Sequence, residues 1–349
     1  MKQMLEQRAP HKQAGLSLIE LMISITLGLI LMAGVVQMFV SSKSVFTTQQ
    51  SMSRIQETGR LAIEFLSRDI RLAGFYGCFR PNIADPNRRL QNDTLVIASL
   101  YGNFGEAIRG YESKADPNLT NVDRAYLTNA DIEADTNILV VRSAAPTPRI
   151  INAANTDTTL QVYSTLTKVN GCVDGLCEGD AAVASDCFRA RVFEVETLTP
   201  VATNLTIKHP DTDDWNVATD LTASYSSGEV LPMNTTSYFI ATGVGGAPSL
   251  WQKLNQKDAV EVLEGVEKVV YKFSTEDNAT YREAASITNW NMVNSVRIFV
   301  VARSIENNAV PEPQPYVIDG VTTTPVLPDR YMRQVFTATV GLRSRATTL

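Results

Sequence analysis

An apolar segment near the N-terminus restricts the possible folds of this 349-residue chain more than any other feature. Residues 21–40 contain no charged side chain and no proline, and Glu20 immediately precedes them. As a helix rising about 1.5 Å per residue, the segment would span roughly 30 Å, the thickness of the hydrocarbon core of a bilayer. A carboxylate at this depth is costly. Glu20 therefore either has a cationic partner or lies partly exposed at the membrane interface.

The charges on either side of the segment predict its orientation. Lys2, Arg8 and Lys12 precede it, opposed only by Glu6. Positive charge before the first hydrophobic segment keeps that end in the cytoplasm, so we expect the rest of the chain to be exported. The whole chain has a net charge of −6. An acidic body argues against nucleic acid as a partner, because phosphates are neutralised by clustered Lys and Arg.

Three interpretations of the apolar segment differ in where the chain is cut. A cleaved secretory signal has an apolar core of about 7–15 residues followed by a small-residue cleavage site; this core is longer, and no such site follows it. A plain membrane anchor fits the length but leaves Glu20 unexplained. The third interpretation places a cut before the segment, at Gly15.

The sequence GLSLIELMISITLG, residues 15–28, resembles the class III signal of type IV pilins and type II secretion pseudopilins. The resemblance implies a leader of residues 1–15. It also implies that a prepilin peptidase cuts between Gly15 and Leu16 and methylates the new N-terminus, where the family often has Phe instead of Leu. Glu20 takes the place of the family's characteristic acid. A neighbouring subunit's freed amine could then pair with Glu20 and set the register between subunits, because two buried charges are tolerable as a pair.

Helical periodicity continues beyond the apolar segment and predicts one helix over residues 16–73, with a membrane-spanning part at about 21–40. Its second half carries an apolar face that is interrupted once, by Asp69, and Gly74 is a plausible C-cap. The predicted face consists of Ile55, Ala62, Phe65, Leu66, Asp69, Ile70 and Ala73. We expect this half to pack on a periplasmic globular domain, residues 74–349.

The globular part contains short β-rich runs separated by turn signals. The predicted strands are Thr94–Ala98, Asn137–Arg142, Thr159–Tyr163, Arg191–Glu196, Ser237–Ala241, Val269–Phe273, Ser295–Ala302 and Gln334–Leu342. Several alternate apolar and polar residues, as in half-buried antiparallel strands. Residues 102–135, 200–235 and 304–330 are predicted as long loops. The predicted fold is α+β, in which the long N-terminal helix packs on one antiparallel β-sheet domain with long loops.

Further segments resemble PilW-type minor pilins of the type IV pilus. They are RLAIEFLSRDIRLAGFYGC, GDAAVASDCFRARVFEV, EGVEKVVYKF, SVRIFVVARS and RYMRQVFTATVGLRSR. This resemblance implies a minor pilin that takes part in pilus assembly, in a tip or initiation complex. Its implied partners are other minor and major pilins, the inner-membrane assembly machinery and a tip adhesin. The last three segments are shared more loosely with the J pseudopilin of type II secretion, which is one alternative. An adhesive module displayed on the filament is another.

The four cysteines allow three pairings, and an even number on the far side of a membrane suggests disulfides in an oxidising compartment. Cys172 and Cys177 are close enough for a local disulfide. Cys78 and Cys187 lie in segments that resemble the family, and the resemblance implies the pairs Cys78–Cys187 and Cys172–Cys177. A metal–thiolate site is disfavoured, because the spacing is C-x4-C and His209 is the only histidine of the globular part.

Neither a cofactor, nor a metal, nor enzyme activity is expected. Catalysis requires a base held near a nucleophile, and no such pair stands out in the sequence. Asp211, Asp213 and Asp214 could bind Ca²⁺ through oxygen ligands. They lack the glycine and the terminal glutamate of an EF-hand loop, so a solvated turn is the favoured interpretation.

Overall fold

The computed structural model describes residues 17–81, 90, 99–127, 132–153, 156, 158–210, 225 and 227–345. The chain divides into two units, Met1–Ser51 and Met52–Leu349. A single helix, α1 (Leu18–Leu72), begins in the first unit and ends in the second. Gly15, Leu16 and the predicted strand Thr94–Ala98 lie outside the described residues.

In the second unit, α1 buries a stripe of small and apolar side chains, among them Ile55, Ala62, Leu66 and Ile70. These four residues are successively seven, four and four positions apart, which places them on one face of the helix. Phe65 was predicted on this face but is 40% exposed. Adjacent helical residues point about 100° apart, so Phe65 lies at the rim of the stripe when Leu66 is at its centre.

The other helices are α2 (Ser99–Gly102) and α3 (Asn121–Leu127), with short 3-10 helices at Ala284–Ser286, Trp290–Met292 and Arg343–Arg345. The strands are β1 (Ile108–Tyr111), β2 (Ile138–Ala144), β3 (Arg149–Ile150), β4 (Thr159–Tyr163), β5 (Cys172–Val173), β6 (Leu176–Cys177), β7 (Ala181–Ser185), β8 (Ala190–Glu194), β9 (Thr197–Val201), β10 (Asn204–Lys208), β11 (Glu229–Thr242), β12 (Pro248–Leu254), β13 (Val260–Glu264), β14 (Val266–Thr275), β15 (Asn278–Arg282), β16 (Val293–Arg303), β17 (Tyr316–Ile318), β18 (Val321–Thr323) and β19 (Arg333–Gly341).

Two antiparallel sheets form most of the second unit. The central sheet has the order β1-β2-β11-β12-β13, and the first residues of β11 also pair with β3 and β7, which in turn pairs with β8. The C-terminal sheet has the order β15-β14-β16-β19. A three-stranded sheet, β4-β10-β9, and the hairpins β5-β6 and β17-β18 complete the fold.

Apolar contacts join α1 to both major sheets. Ala62, Leu66 and Ile70 of the helix share one core cluster with Tyr238 of β11 and Val300 of β16. Helix packing against sheet faces buries the apolar stripe, and each large apolar side chain buried in this way contributes about 1.5–3 kcal/mol. The α+β architecture expected from the sequence is confirmed.

The described predicted strands all overlap observed ones, but the three predicted long loops contain additional structure. Residues 102–135 include β1 and α3, residues 200–235 include β10 and the start of β11, and residues 304–330 include the β17-β18 hairpin. Strands β1, β10 and the start of β11 form because strands outside these segments supply the hydrogen bonds, which local sequence patterns do not indicate. Strands β17 and β18 pair with each other as a hairpin.

Candidate assembly interface

In the first unit, the surface of α1 is apolar and uncovered. Large apolar side chains from Leu18 to Phe46 are all more than half exposed, and Leu31 is 71% exposed. By length and composition, α1 is the one described helix that could cross a membrane. Uncovered surface of this kind is stabilised by burial in lipid or against other apolar helices.

Hydroxyl groups inside the apolar segment are internally satisfied. Ser24 donates to the carbonyl oxygen of Glu20 at 2.7 Å, and Thr26 donates to that of Ile23 at 2.9 Å. Hydrogen bonds of this type occupy donors that an apolar medium would otherwise leave unpaired. These two hydroxyl groups are therefore compatible with a water-free environment.

Glu20 lies in the first turn of α1 and is exposed. A carboxylate there is favoured by the positive end of the helix dipole. Among the described residues, its side chain has no hydrogen-bond or ion-pair partner. A cation that pairs with Glu20 would thus come from outside this part of the chain.

The structure brings Cys78 and Cys187 together in a disulfide that closes a sequence separation of 109 residues. Cys78 follows α1, and Cys187 lies in the turn between β7 and β8. The backbone N–H of Cys78 also donates to Oε1 of Glu229 at 2.7 Å. The segment that leaves the helix is thereby anchored to strands of the central sheet.

Cys172 and Cys177 form the second disulfide, opposite each other in the β5-β6 hairpin. The turn residues Asp174 and Gly175 have φ of 49° and 87°, as a type I′ turn requires. This hairpin was not predicted from the sequence, although the Asp-Gly pair was a signal for it. With both disulfides formed, no free cysteine remains among the described residues.

The part of the chain that the structure describes contains no group of three or more His, Cys, Asp or Glu side chains placed to hold a metal ion. Asp211, Asp213 and Asp214 lie outside that part.

Sequence reasoning missed two contacts that position α1 on the sheets. Asp69 accepts a hydrogen bond of 2.7 Å from the hydroxyl of Tyr238. Gly59 faces the ring of Phe336 on β19, where an added Cβ would lie 2.1 Å from Cε2. The interruption of the apolar face at Asp69 was a sequence signal for its contact with Tyr238. No sequence signal indicated the contact between Gly59 and Phe336.

Comparisons with known families agree with these features. A family model described as type IV pilus-assembly protein W matches residues 237–344. A second model, the prokaryotic N-terminal methylation motif, matches residues 10–36. No curated protein and no solved structure matches the chain.

The matched segments coincide with two parts of the structure described above. The first runs from the second half of β11 to just past β19, and so contains the strands that pack against α1. The second includes Glu20 and the start of the apolar helix. Such families are structural assembly proteins and not known enzymes, and their domains imply interaction with other pilins and the assembly machinery. The apolar helix indicates membrane anchoring and association with the pilus.

Proposed function

Both family matches support a PilW-type minor pilin of the type IV pilus, and from this premise we propose that the chain is cut between Gly15 and Leu16 before it is assembled. The prepilin peptidase would remove residues 1–15 and methylate the amine of Leu16. The mature chain would then begin four residues before Glu20. It would act as a non-catalytic subunit in pilus assembly.

The observation that carries this proposal is the carboxylate of Glu20, which is exposed at the head of an apolar helix and has no partner among the described residues. In lipid or in a packed helical core, that charge is stabilised by a cation. The N-methylated amine of an adjoining subunit is such a cation and lies at the same end of an equivalent helix. Their pairing would fix the axial register between subunits.

Orientation follows from the charges before the helix. The basic leader would stay in the cytoplasm, and residues 74–349 would fold in the periplasm. The two disulfides are consistent with that compartment, because it is oxidising.

We place the subunit in a tip or initiation complex with other minor pilins, with the inner-membrane assembly machinery and a tip adhesin as further partners. The size of the second unit, Met52–Leu349, supports this position, because a bulky domain fits poorly along a tightly packed shaft. The matches do not favour a type II secretion pseudopilin or an adhesive module.

Mass spectrometry of the N-terminus of the protein purified from piliated cells tests the proposal. The expected N-terminal residue is N-methylated Leu16. A Gly15→Val variant should keep its leader, whereas Gly28→Ala, a change at a glycine with open space around it, should be processed normally. An intact Met1 in the wild type, or a cut beyond residue 40, would overturn the proposal.

A further inference from the structure

Strand β19 forms an edge of the C-terminal sheet, because within the described part of the chain β16 is its only paired neighbour. The hydrogen bonds Ser304 N–H to Met332 O (2.8 Å) and Leu342 N–H to Asn294 O (2.9 Å) fix which residues face β16. Residues of an antiparallel strand alternate in the direction of their backbone groups. The residues whose N–H and C=O groups point away from β16 are therefore Val335, Thr337, Thr339 and Gly341.

The segment that holds Gln314 and Tyr316 contacts the start of this outer edge at Arg333. Among the described residues, the rest of the edge lacks the usual protection against pairing with another strand. Arg333 starts the strand with its N–H bonded to Oε1 of Gln314 at 2.9 Å. From Val335 onward, no partner for the outward backbone groups is present among the described residues. Residues 334–341 include no charge and no proline, and the pairing with β16 runs without a bulge. Natural edge strands generally carry at least one of these features.

Helix α1 runs alongside this strand. Phe336 contacts Gly59, and the hydroxyl of Ser344 donates to the carbonyl oxygen of Ala73 at 2.6 Å. Residues 59–73 of the helix therefore lie beside residues 336–344, which form most of β19 and the residues just after it. The outer edge of β19 and the adjacent flank of α1 therefore belong to one surface.

That flank of α1 borders a groove of about 460 Å³, which we call the arginine groove. Four of its lining residues are arginines: Arg60, Arg68, Arg71 and Arg343. Glu64 is the only acidic residue in the lining. Within the described part of the chain, none of these guanidinium groups forms a salt bridge or a hydrogen bond. Guanidinium groups bind carboxylates through paired hydrogen bonds, and the groove is therefore complementary to an acidic ligand.

We propose that the outer edge of β19 and the arginine groove together bind an extended acidic segment of a neighbouring pilin. The segment adds a strand to the C-terminal sheet and places carboxylates against the arginines. Only a polypeptide satisfies both features, since a lipid headgroup or free phosphate would occupy the groove and leave the strand edge open. The identity of the neighbour as a pilin rests on the proposed function; the chemistry of the segment does not.

Peptide binding to the full-length chain in detergent micelles tests this chemistry. The probe is a labelled nine-residue peptide that alternates Glu and Thr, and the control peptide has Lys for Glu. The glutamate peptide should bind at least about tenfold more tightly, a difference of about 1.4 kcal/mol. It should also slow hydrogen exchange in residues 335–341. Equal binding of the two peptides, or unchanged exchange in β19, would overturn the inference.

Matched variants separate the two parts of the surface. Arg60→Glu and Arg71→Glu should each weaken binding of the glutamate peptide, whereas Arg80→Glu, an exposed arginine outside the groove, should not. Thr339→Pro removes an outward N–H without removing a hydrogen bond to β16. The peptide should therefore no longer slow hydrogen exchange in β19 of Thr339→Pro, whereas it should still do so in Thr339→Ala. If Thr339→Pro does not fold, a glutamate peptide methylated at alternate backbone nitrogens tests the same hydrogen bonds. Retained binding in these cases would contradict strand addition.

A photocrosslinker at position 339 in piliated cells identifies the occupant. The expected product joins β19 to an acidic segment of another pilin. A product with a second copy of this chain, or with lipid, would overturn the assignment. Normal N-methylation of Leu16 together with absent crosslinking would count against this inference alone, while an unprocessed N-terminus would count against the proposed function.

Discussion

Tyr238 of β11 donates a hydrogen bond of 2.7 Å to Oδ2 of Asp69, the one acidic residue on the buried side of α1. The same hydroxyl accepts a hydrogen bond from Nε2 of Gln252 at 2.9 Å. Burial raises the pKa of the Asp69 carboxyl, and the Tyr238 hydrogen bond and the charge of Arg68 partly oppose that rise. The polar residue that interrupts the apolar face thus connects the helix to the central sheet.

Tyr238→Phe should lower the free energy of unfolding by about 1–3 kcal/mol, because a buried carboxylate loses its donor. Chemical denaturation measures this loss. Tyr163→Phe is the control, since Tyr163 is 61% exposed and its change should be close to neutral. Equal stabilities of the two variants would contradict a structural role for the hydrogen bond.

Asp69→Asn should change the pH dependence of stability in a defined direction. The folded-state pKa of Asp69 is raised above its ordinary value of 3.8. Its protonation therefore favours the folded state at low pH, and this contribution is lost as pH rises from 3.8 through the folded-state pKa. The difference in unfolding free energy between wild type and Asp69→Asn, measured from pH 3 to 7, should fall with rising pH. A rising difference would contradict the burial effect.

Gly59→Ala should destabilise the protein, although alanine is the better helix former. An added Cβ would meet the Phe336 ring at 2.1 Å, and overpacking of this kind costs about 1–3 kcal/mol. Gly34→Ala, with no atom within 4 Å of the new Cβ, should not destabilise. Thermal unfolding compares the two, and Gly59→Ala combined with Phe336→Leu should recover part of the loss.

The two disulfides should differ in their contribution to stability. In the chain-entropy model, closing the 109-residue separation between Cys78 and Cys187 is worth about 4–5 kcal/mol, against about 2 kcal/mol for the 5-residue separation of Cys172 and Cys177. Replacing each pair by serine and measuring chemical denaturation tests this order. A larger loss from the Cys172/Cys177 replacement would contradict it.

Arg333 should be costly to replace, because it is a buried charge paired with two carboxylates. Its side chain is 1% exposed and hydrogen-bonds to Glu267 at 2.7 Å and to Asp329 at 2.7 Å. Arg333→Met should cost about 2–3 kcal/mol, a value reduced by the partial exposure of both carboxylates. Arg54→Met, which removes an exposed pair with Glu264, should cost less than about 1 kcal/mol.

The same arginine should also set part of the acid sensitivity. Its hydrogen bond holds the pKa of Asp329 below the ordinary value of 3.8. The ionised carboxylate therefore stabilises the fold above pH 3.8, and that stability is lost as pH falls below it through the folded-state pKa. Acid unfolding curves of wild type should show this loss, and those of Arg333→Met should lack it.

Glu20→Ala should leave N-terminal processing intact and reduce piliation, because the proposed partner amine still forms but has no carboxylate to bind. Electron microscopy of surface pili and mass spectrometry of the N-terminus measure the two effects separately. Glu57→Ala, which removes a carboxylate from the same helix outside the apolar segment, is the matched control. Wild-type piliation in Glu20→Ala would contradict the charge-pairing role.

Local patterns in the sequence were sufficient for the helix and for several strands. The apolar segment with Glu20, the helical stripe of Ile55, Ala62 and Leu66, and the alternation in β16 and β19 each depend on neighbours within a few residues. Burial of one face of a helix or strand produces such periodicities, so they can be recognised in the sequence without knowledge of the tertiary structure.

The sequence by itself determined a long helix with an apolar first part, an acid at its head and a β-rich body with an even number of cysteines. Only the tertiary structure decided that Asp69 hydrogen-bonds to Tyr238 and that Gly59 packs against Phe336. It also decided that β19 is an edge strand beside four arginines. Each of these depends on residues far apart in the chain, whose meeting is set by strand order and helix docking. No local preference encodes that order, because it results from the packing of the whole second unit.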